Sequence, residues 1–338
     1  MRATTIHGPG DIRFEEVPDP RIERPTDAIV RVVRGCICGS DLWPYRGIDE
    51  PNNGSTIGHE CIGEVVEVGS DVATFKPGEF VVVPFDHCDN TCVHCRNGMQ
   101  AGCVNVGFTT SGQGEYARVN QADGSLVGTG GAPDESMLPA LLTLSDVMAT
   151  GWHAAVSAHV RPGSTAVVVG DGAVGLCGVL AAGQLGAGRI IAMSRHDSRS
   201  AVARQFGATD IVPERGKEAV ERVRELTDGV GADAVLECVG SSDSMQTAAR
   251  VARPGAFIGY VGVPHDVQLP VNYMFSRNVG LAGGMAPVRK YLPELVDLVT
   301  SGAIDPSPVF DLTLPMSESA EGYHAMDERR AIKVLLTP

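Results

Sequence analysis

Short runs of β-branched residues alternate with amphipathic helical patterns through the second half of the chain. The run at 167–169 leads into an Ala- and Leu-rich helical pattern predicted over 173–185. In the pattern at 217–226, Val220, Val223 and Leu226 fall on one helical face. Further strand-like segments lie at 189–193, 210–212, 234–238, 256–260 and 279–283. Strands that alternate with helices in this way predict an α/β fold with a doubly wound parallel sheet.

The first 148 residues show a different pattern. They are rich in Val, Gly and Pro and carry short strand-like runs at 28–33, 61–68 and 80–83. A length of 338 residues fits two domains with buried cores. The change of pattern places the start of the alternating domain near residue 149 and its end near residue 286.

A glycine-rich turn follows the first strand of the alternating region. Gly170, Gly172 and Gly175 give the spacing Gly-x-Gly-x-x-Gly, with Ala173 and Val174 at the start of the predicted helix. Backbone N–H groups and the helix dipole at such a turn can face a pyrophosphate, and the third glycine allows close packing of helix and strand. Three glycines alone are a weak signal, but their place between a strand and a helix predicts a dinucleotide site.

The end of the second strand bears on the choice of cofactor. NAD-binding folds of this kind carry an acidic residue about 20 positions after the glycine turn, where it binds the ribose 2′-hydroxyl. Ser194 takes that place here, and Arg195, His196 and Arg199 can meet a 2′-phosphate. The sequence therefore favours NADP(H). NAD stays open because of Asp197, although Asp197 resembles the cap of the following helix.

Residues of three types suggest a metal site in the first domain. Cys38 and His59 supply a thiolate and an imidazole, and Asp146 is a third candidate ligand. Any one of them alone is more often a buried or structural side chain. Together they give three protein ligands and leave one tetrahedral position open, which is typical of catalytic zinc.

A second cluster consists of cysteines. Cys88, Cys92, Cys95 and Cys103 fall within sixteen residues, in a stretch with little apolar periodicity. Four thiolates can form a closed tetrahedral zinc site that pins a polar loop. Disulfides are the alternative, but no apolar secretory segment is recognised at the start of the sequence. We therefore expect two zinc ions per chain, one catalytic and one structural.

Charge and cysteine usage narrow the classes of partner. The formal net charge is −14, and no run rich in Lys and Arg compensates for it. This disfavours binding to nucleic acid or to an anionic membrane surface. The nine cysteines, at least five of them with metal-like spacing, suit a reducing cytoplasm. A cytoplasmic protein that acts on a small molecule is expected.

The whole chain resembles the zinc-dependent medium-chain alcohol dehydrogenase family, because several motifs occur in that family's order. They are Cys38-Gly39-Ser40-Asp41, Gly58-His59-Glu60, the cysteine cluster, Asp146 with its neighbours, the glycine turn, Glu237-Cys238-Val239-Gly240 and Val261-Gly262-Val263. The resemblance implies a GroES-like β-rich catalytic domain at 1–148, completed by 287–338, and a Rossmann domain at 149–286. It also implies hydride transfer between a nicotinamide cofactor and an alcohol or carbonyl compound at zinc.

The resemblance assigns roles to residues beside the metal ligands. Asp41 is expected to accept a hydrogen bond from His59. Glu60 is expected to ease changes in the coordination of the metal or to bind it transiently. Ser40 is expected to pass the alcohol proton toward the cofactor ribose.

Further residues are expected to contact the cofactor. Val239, Val261 and Gly262 belong to the loops that follow the fourth and fifth strands of the Rossmann domain. Lys333 is a weaker candidate for a contact with a cofactor phosphate, and a surface lysine is an equal alternative.

Three positions depart from the family's pattern. Asp146 stands where many members have a thiolate, which makes the chain more similar to the bacterial secondary-alcohol branch. Trp43 replaces a relay histidine, so the proton must leave by another route. Cys88 is one residue farther from Cys92 than usual, and Asp89 stands at the usual position, so either residue can be the structural ligand.

The predicted function is zinc-dependent hydride transfer between NADP(H) and a small or medium secondary alcohol or ketone. An NAD-dependent polyol, amino-alcohol or aldehyde dehydrogenase of the same family is the alternative. A cofactor-binding protein without catalysis is a third interpretation, but the joint presence of Cys38, His59, Asp146 and Ser40 argues against it. A homotetramer, or else a homodimer, is expected.

Overall fold

The fold is described from a computed structural model, which covers residues 1–50 and 53–338. The strands are β1 (Arg2–Gly8), β2 (Asp11–Glu16), β3 (Ala28–Cys36), β4 (Ser55–Thr56), β5 (Cys61–Val68), β6 (Phe80–Val83), β7 (Asp86–His87), β8 (Gly107–Phe108), β9 (Tyr116–Val119), β10 (Val127–Gly128), β11 (Thr165–Val169), β12 (Arg189–Met193), β13 (Asp210–Ile211), β14 (Ala232–Glu237), β15 (Ala252–Tyr260), β16 (Gly280–Gly283), β17 (Leu312–Pro315) and β18 (Val334–Thr337).

The α-helices are α1 (Leu42–Tyr45), α2 (Val93–Arg96), α3 (Ala122–Ser125), α4 (Leu138–Thr143), α5 (Val147–Ser157), α6 (Ala173–Gln184), α7 (Asp197–Gln205), α8 (Gly216–Leu226), α9 (Ser242–Val251), α10 (Val271–Arg277), α11 (Val288–Thr300) and α12 (Ser319–Asp327). Short 3₁₀ turns lie at Gln100–Gly102, Glu135–Met137, Ser307–Val309 and Met316–Glu318.

The chain divides into two compact units. The terminal unit comprises Met1–Ala149 and Pro287–Pro338, and the central unit comprises Thr150–Ala286. The first boundary lies one residue after the predicted position, and the second boundary lies at the predicted position. The C-terminal segment therefore folds with the N-terminal part of the chain.

The terminal unit is built on a mostly antiparallel sheet. Its strand order is β10-β6-β5-β3-β18-β17, and β9 also pairs with β3. Smaller sheets have the order β2-β1-β4 and β7-β8. Val30 and Val32 of β3 are buried while Arg31 between them is exposed, as expected for a strand with one face on the core. Strand β18 of the C-terminal segment pairs with β3 through Leu335 and Cys36, which places it at the end of β3.

The central unit contains one parallel sheet, with the order β13-β12-β11-β14-β15-β16. Strands β11 and β14 are neighbours in space but not in sequence, so the strand order reverses between them. The carboxyl ends of the strands at such a reversal form the usual ligand-binding edge of a doubly wound sheet. Val167, Ile191, Val235 and Ile258 are buried in its core.

Most predicted elements of the central unit agree with the structure. Strand β12 has the predicted bounds, α6 ends one residue earlier than predicted, and α8 buries Val220 and Val223 as its amphipathic pattern requires. The predicted α/β class with a doubly wound parallel sheet is confirmed. Within the described residues, no helix combines the length and the apolarity needed to cross a membrane.

Candidate metal centres and dinucleotide site

The loop after β3 presents Cys38 to the interior of the terminal unit. The backbone N–H of Ile37 donates to the carbonyl of Val334 at 3.1 Å, which ties this loop to β18. The backbone N–H of Cys38 donates to Asp41 Oδ2 at 3.0 Å, and α1 begins directly after Asp41. The loop therefore has a fixed course at the position of the thiol, which is buried.

His59 and Asp146 reach the same place from two other loops. His59 precedes β5, and its Nε2 lies 3.4 Å from Asp146 Oδ2. Asp146 lies in the turn between α4 and α5, where the backbone N–H of Phe85 anchors the Ser145 carbonyl at 2.9 Å. The Sγ of Cys38 lies 3.4 Å from the same Oδ2. One ligand atom from each of Cys38, His59, Glu60 and Asp146 lies within 4.8 Å of all the others.

The charge of this group fits a divalent cation. Burial, followed by the nearby carboxylates of Asp146 and Glu60, raises the pKa of the Cys38 thiol to about 11. A metal ion would reverse the sign of the local field and favour the thiolate. Thiolate, imidazole and carboxylate are all zinc ligands, so the residues present fit that metal.

A hydrogen-bonded chain behind His59 orients its ring. His59 Nδ1 lies 3.3 Å from Asp41 Oδ1, which directs Nε2 toward the ligand group. Gln113 Nε2 donates to Asp41 Oδ2 at 3.1 Å, and the Tyr323 hydroxyl donates to Gln113 Oε1 at 3.1 Å. Gln113 and Tyr323 are fully buried. The sequence pattern missed both, because each is distant in sequence from the ligand motifs and carries no local signal.

Lys333 lies elsewhere than predicted. Its ammonium donates to Glu60 Oε1 at 2.6 Å and to the Ile37 carbonyl at 3.2 Å, and the residue is 1% exposed. The predicted contact with a cofactor phosphate is therefore corrected, because a buried ammonium paired with a carboxylate does not face a ligand phosphate. Lys333 directly precedes β18, which begins at Val334.

Ser40 and Trp43 lie in the same loop as Cys38. Ser40 is partly exposed, and its carbonyl accepts the N–H of Trp43 at 3.1 Å. Trp43 lies on α1, where the Arg46 guanidinium stacks over its ring at 5.8 Å from the centroid.

The structure distinguishes between the two candidates for the first structural ligand. Ligand atoms of Asp89, Cys92, Cys95 and Cys103 all lie within 4.8 Å of one another. Cys88 packs against this cluster, but it is not part of the ligand group, and its thiol donates to the Gly124 carbonyl at 3.2 Å. The geometry therefore corrects the four-cysteine prediction in favour of Asp89.

Backbone groups around this cluster are arranged for anionic ligands. The N–H groups of Asp89 and Asn105 both donate to Cys103 Sγ at 3.3 Å. The N–H groups of Cys95 and Val104 lower the pKa of the Cys92 thiol to about 7. Burial by itself would raise the pKa of the Asp89 carboxyl. Hydrogen bonds donated by backbone N–H groups shortly after Asp89 outweigh this effect and hold the pKa below its usual range. A set of three thiolates and one carboxylate fits a closed zinc site.

The glycine turn of the central unit has the shape of a phosphate cradle. A Cβ added at Gly172, the N-cap of α6, would meet no atom of the described residues within 4 Å. A Cβ at Gly175 would instead clash with the carbonyl oxygen of Gly170, so α6 packs closely against the turn. Open backbone N–H groups at a helix start fit a pyrophosphate. Ala173 and Val174 form the first turn of α6.

The other predicted cofactor loops meet this turn at the same sheet edge. A Cβ added at Gly170 would lie only 2.8 Å from Val239 Cγ2, so the two loops are in close contact. Gly262 approaches the backbone of Val239 and Gly240 so closely that a side chain at 262 would clash with it. The backbone N–H of Val261 donates to the Glu237 carbonyl at 2.9 Å.

An unpredicted carboxylate, that of Asp171 in the glycine turn, contacts the residue that follows β12. Ser194 is buried, and its hydroxyl donates to Asp171 Oδ2 at 2.9 Å. Arg199 Nη1 donates to the Asp171 carbonyl at 3.2 Å. Arg195 is exposed. The predicted helix cap is off by one residue, since His196 is the N-cap of α7 and Asp197 is its first residue.

Comparison with known proteins gives a consistent result over the length of the chain. Residues 24–128 match the family described as "Alcohol dehydrogenase GroES-like domain", and residues 173–301 match "Zinc-binding dehydrogenase". Zinc-type alcohol dehydrogenase B of Aspergillus flavus is 33% identical over 99% of this chain and 81% of its own length. The NADP-dependent isopropanol dehydrogenase of Thermoanaerobacter brockii is 36% identical, with 84% of each chain covered. Among solved structures, alcohol dehydrogenase TADH from Thermus sp. ATN1 has a TM-score of 0.91 at 32% identity, with coverage of 100% of this chain and 99% of that one.

Proposed function

The chain belongs to the zinc-dependent medium-chain alcohol dehydrogenase family, and on that premise we propose that it transfers a hydride between NADP(H) and a small or medium secondary alcohol or ketone. The reaction class follows from the family, whose members are oxidoreductases that act on CH–OH donors. The cofactor and the substrate class are the specific part of the proposal.

One observation carries the proposal. Cys38, His59 and Asp146 come from three separate loops, and their ligand atoms lie within 4.8 Å of one another. When bound there, zinc supplies Lewis acidity, which lowers the pKa of an alcohol hydroxyl and polarises a carbonyl. Three protein ligands leave a tetrahedral position for the substrate.

The surrounding residues hold this centre and move the proton. Asp41 accepts from His59 Nδ1 and thereby keeps Nε2 available as a ligand atom. Ser40 is proposed to take the proton of the alcohol, since its hydroxyl lies two residues after Cys38 in the loop that provides the thiolate. The Lys333 ammonium holds the Glu60 carboxylate beside the ligand group, where Glu60 can exchange between the ammonium and a cation.

The proposed cofactor is supported by the end of β12. A nicotinamide cofactor, when bound, would supply the hydride chemistry. Ser194 replaces the acidic residue of NAD-binding folds, and Arg195 and Arg199 are cationic. The relative from Thermoanaerobacter brockii, which shares this chain's fold family, is described as NADP-dependent.

A second candidate is an NAD-dependent dehydrogenase for polyols, amino alcohols or aldehydes. The observation in its favour is the Asp171 carboxylate, which lies beside Ser194 at the position where NAD-binding folds have their acid.

Two further proposals concern the setting of the protein. A reducing, cytoplasmic location is supported by the nine cysteines, all of which are free of disulfides. A homo-oligomer, a tetramer or else a dimer, is supported by exposed apolar side chains on α10, where Phe275 is 85% exposed.

A substrate and cofactor screen of the zinc-loaded protein tests the proposal. Secondary alcohols, polyols and amino alcohols are each offered with NADP⁺ and NAD⁺, and formation of the reduced cofactor is followed by absorbance. We expect turnover of secondary alcohols, with kcat/KM favouring NADP⁺ by roughly 10- to 100-fold, because a charge-assisted bond to the 2′-phosphate is worth about 1.5 to 3 kcal/mol. Turnover of polyols with NAD⁺ alone would support the second candidate instead.

A further inference from the structure

Asp171 is a partly buried carboxylate that the reaction chemistry does not use. It lies between Gly170 and Gly172 in the phosphate turn, and the glycine pattern accepts any residue there. Its Oδ2 accepts from the Ser194 hydroxyl at 2.9 Å, and its Oδ1 lies 3.5 Å from Arg199 Nη1. The side chains of Asp171 and Arg199 are 17% and 12% exposed, so their charges are only partly screened by water.

The contact with Ser194 gives this carboxylate its significance. Ser194 is the first residue after β12, where the acid of an NAD-binding fold accepts the ribose 2′-hydroxyl. The Ser200 hydroxyl donates to Ser194 Oγ at 3.1 Å, so Ser194 is oriented with its own proton toward Asp171. A carboxylate therefore reaches the ribose position from the glycine turn instead of from the strand.

A 2′-phosphate and a 2′-hydroxyl would meet this carboxylate with opposite results. A hydroxyl can donate a hydrogen bond to the carboxylate. A phosphate brings a further negative charge, and like charges a few ångströms apart repel appreciably even at an effective dielectric constant of about 20. The phosphate would also have to share Arg199 with Asp171, which already accepts from that guanidinium through its carbonyl at 3.2 Å.

We propose that Asp171 is a cofactor-specificity residue that favours a free ribose 2′-hydroxyl and weakens the binding of a 2′-phosphate. It acts against Arg195 and Arg199, which favour the phosphate, and it keeps the preference for NADP(H) below the level that those cations alone would give. The inference rests on the proposed dinucleotide site. It adds to that site a residue that limits the discrimination between NADP(H) and NAD(H).

Binding of two adenosine fragments to the full-length, zinc-loaded protein tests this inference without any turnover. Adenosine 2′,5′-bisphosphate and 5′-AMP differ only by the 2′-phosphate. Isothermal titration calorimetry gives the ratio of the Kd for 5′-AMP to the Kd for the bisphosphate. In Asp171→Asn we expect this ratio to rise by on the order of 10-fold, because the bisphosphate binds more tightly once one nearby negative charge is removed. Asp171→Ser should shift it in the same direction, and it serves if the asparagine variant does not fold by circular dichroism.

Glu218→Gln is the matched control, because it removes one exposed carboxylate from the same unit, in the first turn of α8 and outside the predicted cofactor loops. Its ratio should stay within about twofold of the wild-type ratio, as expected for a screened surface charge. An unchanged or lowered ratio in both folded Asp171 variants would overturn the inference. An equal shift in Glu218→Gln would also overturn it, because that result would indicate an effect of net charge alone. Wild-type protein that binds neither fragment nor either intact dinucleotide would overturn the dinucleotide site itself, and this inference with it.

Discussion

At the scale of single residues, Asp146 is the candidate third ligand of the proposed catalytic zinc. Its Oδ2 lies 3.4 Å from both Cys38 Sγ and His59 Nε2. If Asp146 is the third ligand, Asp146→Ala should release one zinc ion per chain, whereas Asp146→Cys should retain it because a thiolate can fill the same position. Elemental analysis of the two variants measures this directly, and retention of the full zinc content by the alanine variant would make Asp146 a structural carboxylate.

Asp86 is a second carboxyl group whose surroundings predict a measurable effect. It is fully buried on β7, and neither of its oxygens has a hydrogen-bond partner within the described part of the chain. Burial raises its pKa to about 7, whereas an aspartate in an unfolded chain has a pKa of about 3.9. The stability associated with the protonated group is therefore complete below about pH 4 and is lost as the pH rises through about 7.

We accordingly expect Asp86→Asn to increase the free energy of unfolding at about pH 8 relative to the wild type, by at most about 4 kcal/mol. The increase should shrink toward pH 4, because the wild-type carboxyl is then protonated in the folded protein and is buried without a charge. Urea denaturation of both proteins at the two pH values gives the difference, in which the titration of all other groups largely cancels. A difference that does not depend on pH would show that Asp86 is not protonated in the folded protein.

At the scale of elements, the loop between β7 and β8 is expected to depend on a bound zinc ion for its structure. The loop has few apolar side chains of its own, and its four ligand atoms come from Asp89, Cys92, Cys95 and Cys103. Asp89→Ala should therefore remove one zinc ion and lower Tm, because a structural zinc contributes folding free energy. Zinc content and thermal unfolding are measured on the same sample.

Cys88→Ala is the matched control for that prediction. Cys88 packs against the same cluster, but its thiol is bonded to the Gly124 carbonyl. This variant should keep both zinc ions and lose only the packing and one weak hydrogen bond, about 1 to 2 kcal/mol. Loss of zinc from Cys88→Ala together with retention in Asp89→Ala would return the ligand role to the cysteine.

The C-terminal segment contributes two side chains to the surroundings of the proposed metal ligands. Tyr323 of α12 reaches His59 through Gln113 and Asp41, and Lys333, directly before β18, reaches Glu60. These contacts help to explain why the segment folds with the N-terminal part of the chain, since without it the buried carboxylate of Glu60 and the buried amide of Gln113 would each lose a hydrogen-bond donor.

At the scale of the whole molecule, patterns with a short repeat were the easiest to predict. The parallel sheet was predicted from β-branched runs and helical periodicity, and its topology is confirmed. The family was predicted from motifs that are local in sequence, and it is confirmed as well. Gln113, Tyr323 and the ion pair of Lys333 could not be predicted, because they depend on how distant segments pack. The contact between Asp171 and Ser194 was not predicted, because the acid of NAD-binding folds is sought after the second strand. Nothing in the sequence shows that a side chain from the glycine turn reaches that position.

We propose above all that this chain interconverts a secondary alcohol and its ketone at a zinc ion held by Cys38, His59 and Asp146. The most direct test is turnover of a secondary alcohol with NADP⁺ in one preparation, measured when fully zinc-loaded, after dialysis against a chelator, and after zinc is restored. The open catalytic site should lose its metal first, since the closed site has four protein ligands.

We predict that turnover disappears when the first zinc ion per chain is lost and returns when it is restored, with circular dichroism unchanged throughout. Turnover that persists after this zinc ion has been removed, or no turnover of any alcohol or ketone by the fully loaded protein, would contradict the proposed zinc-dependent reaction.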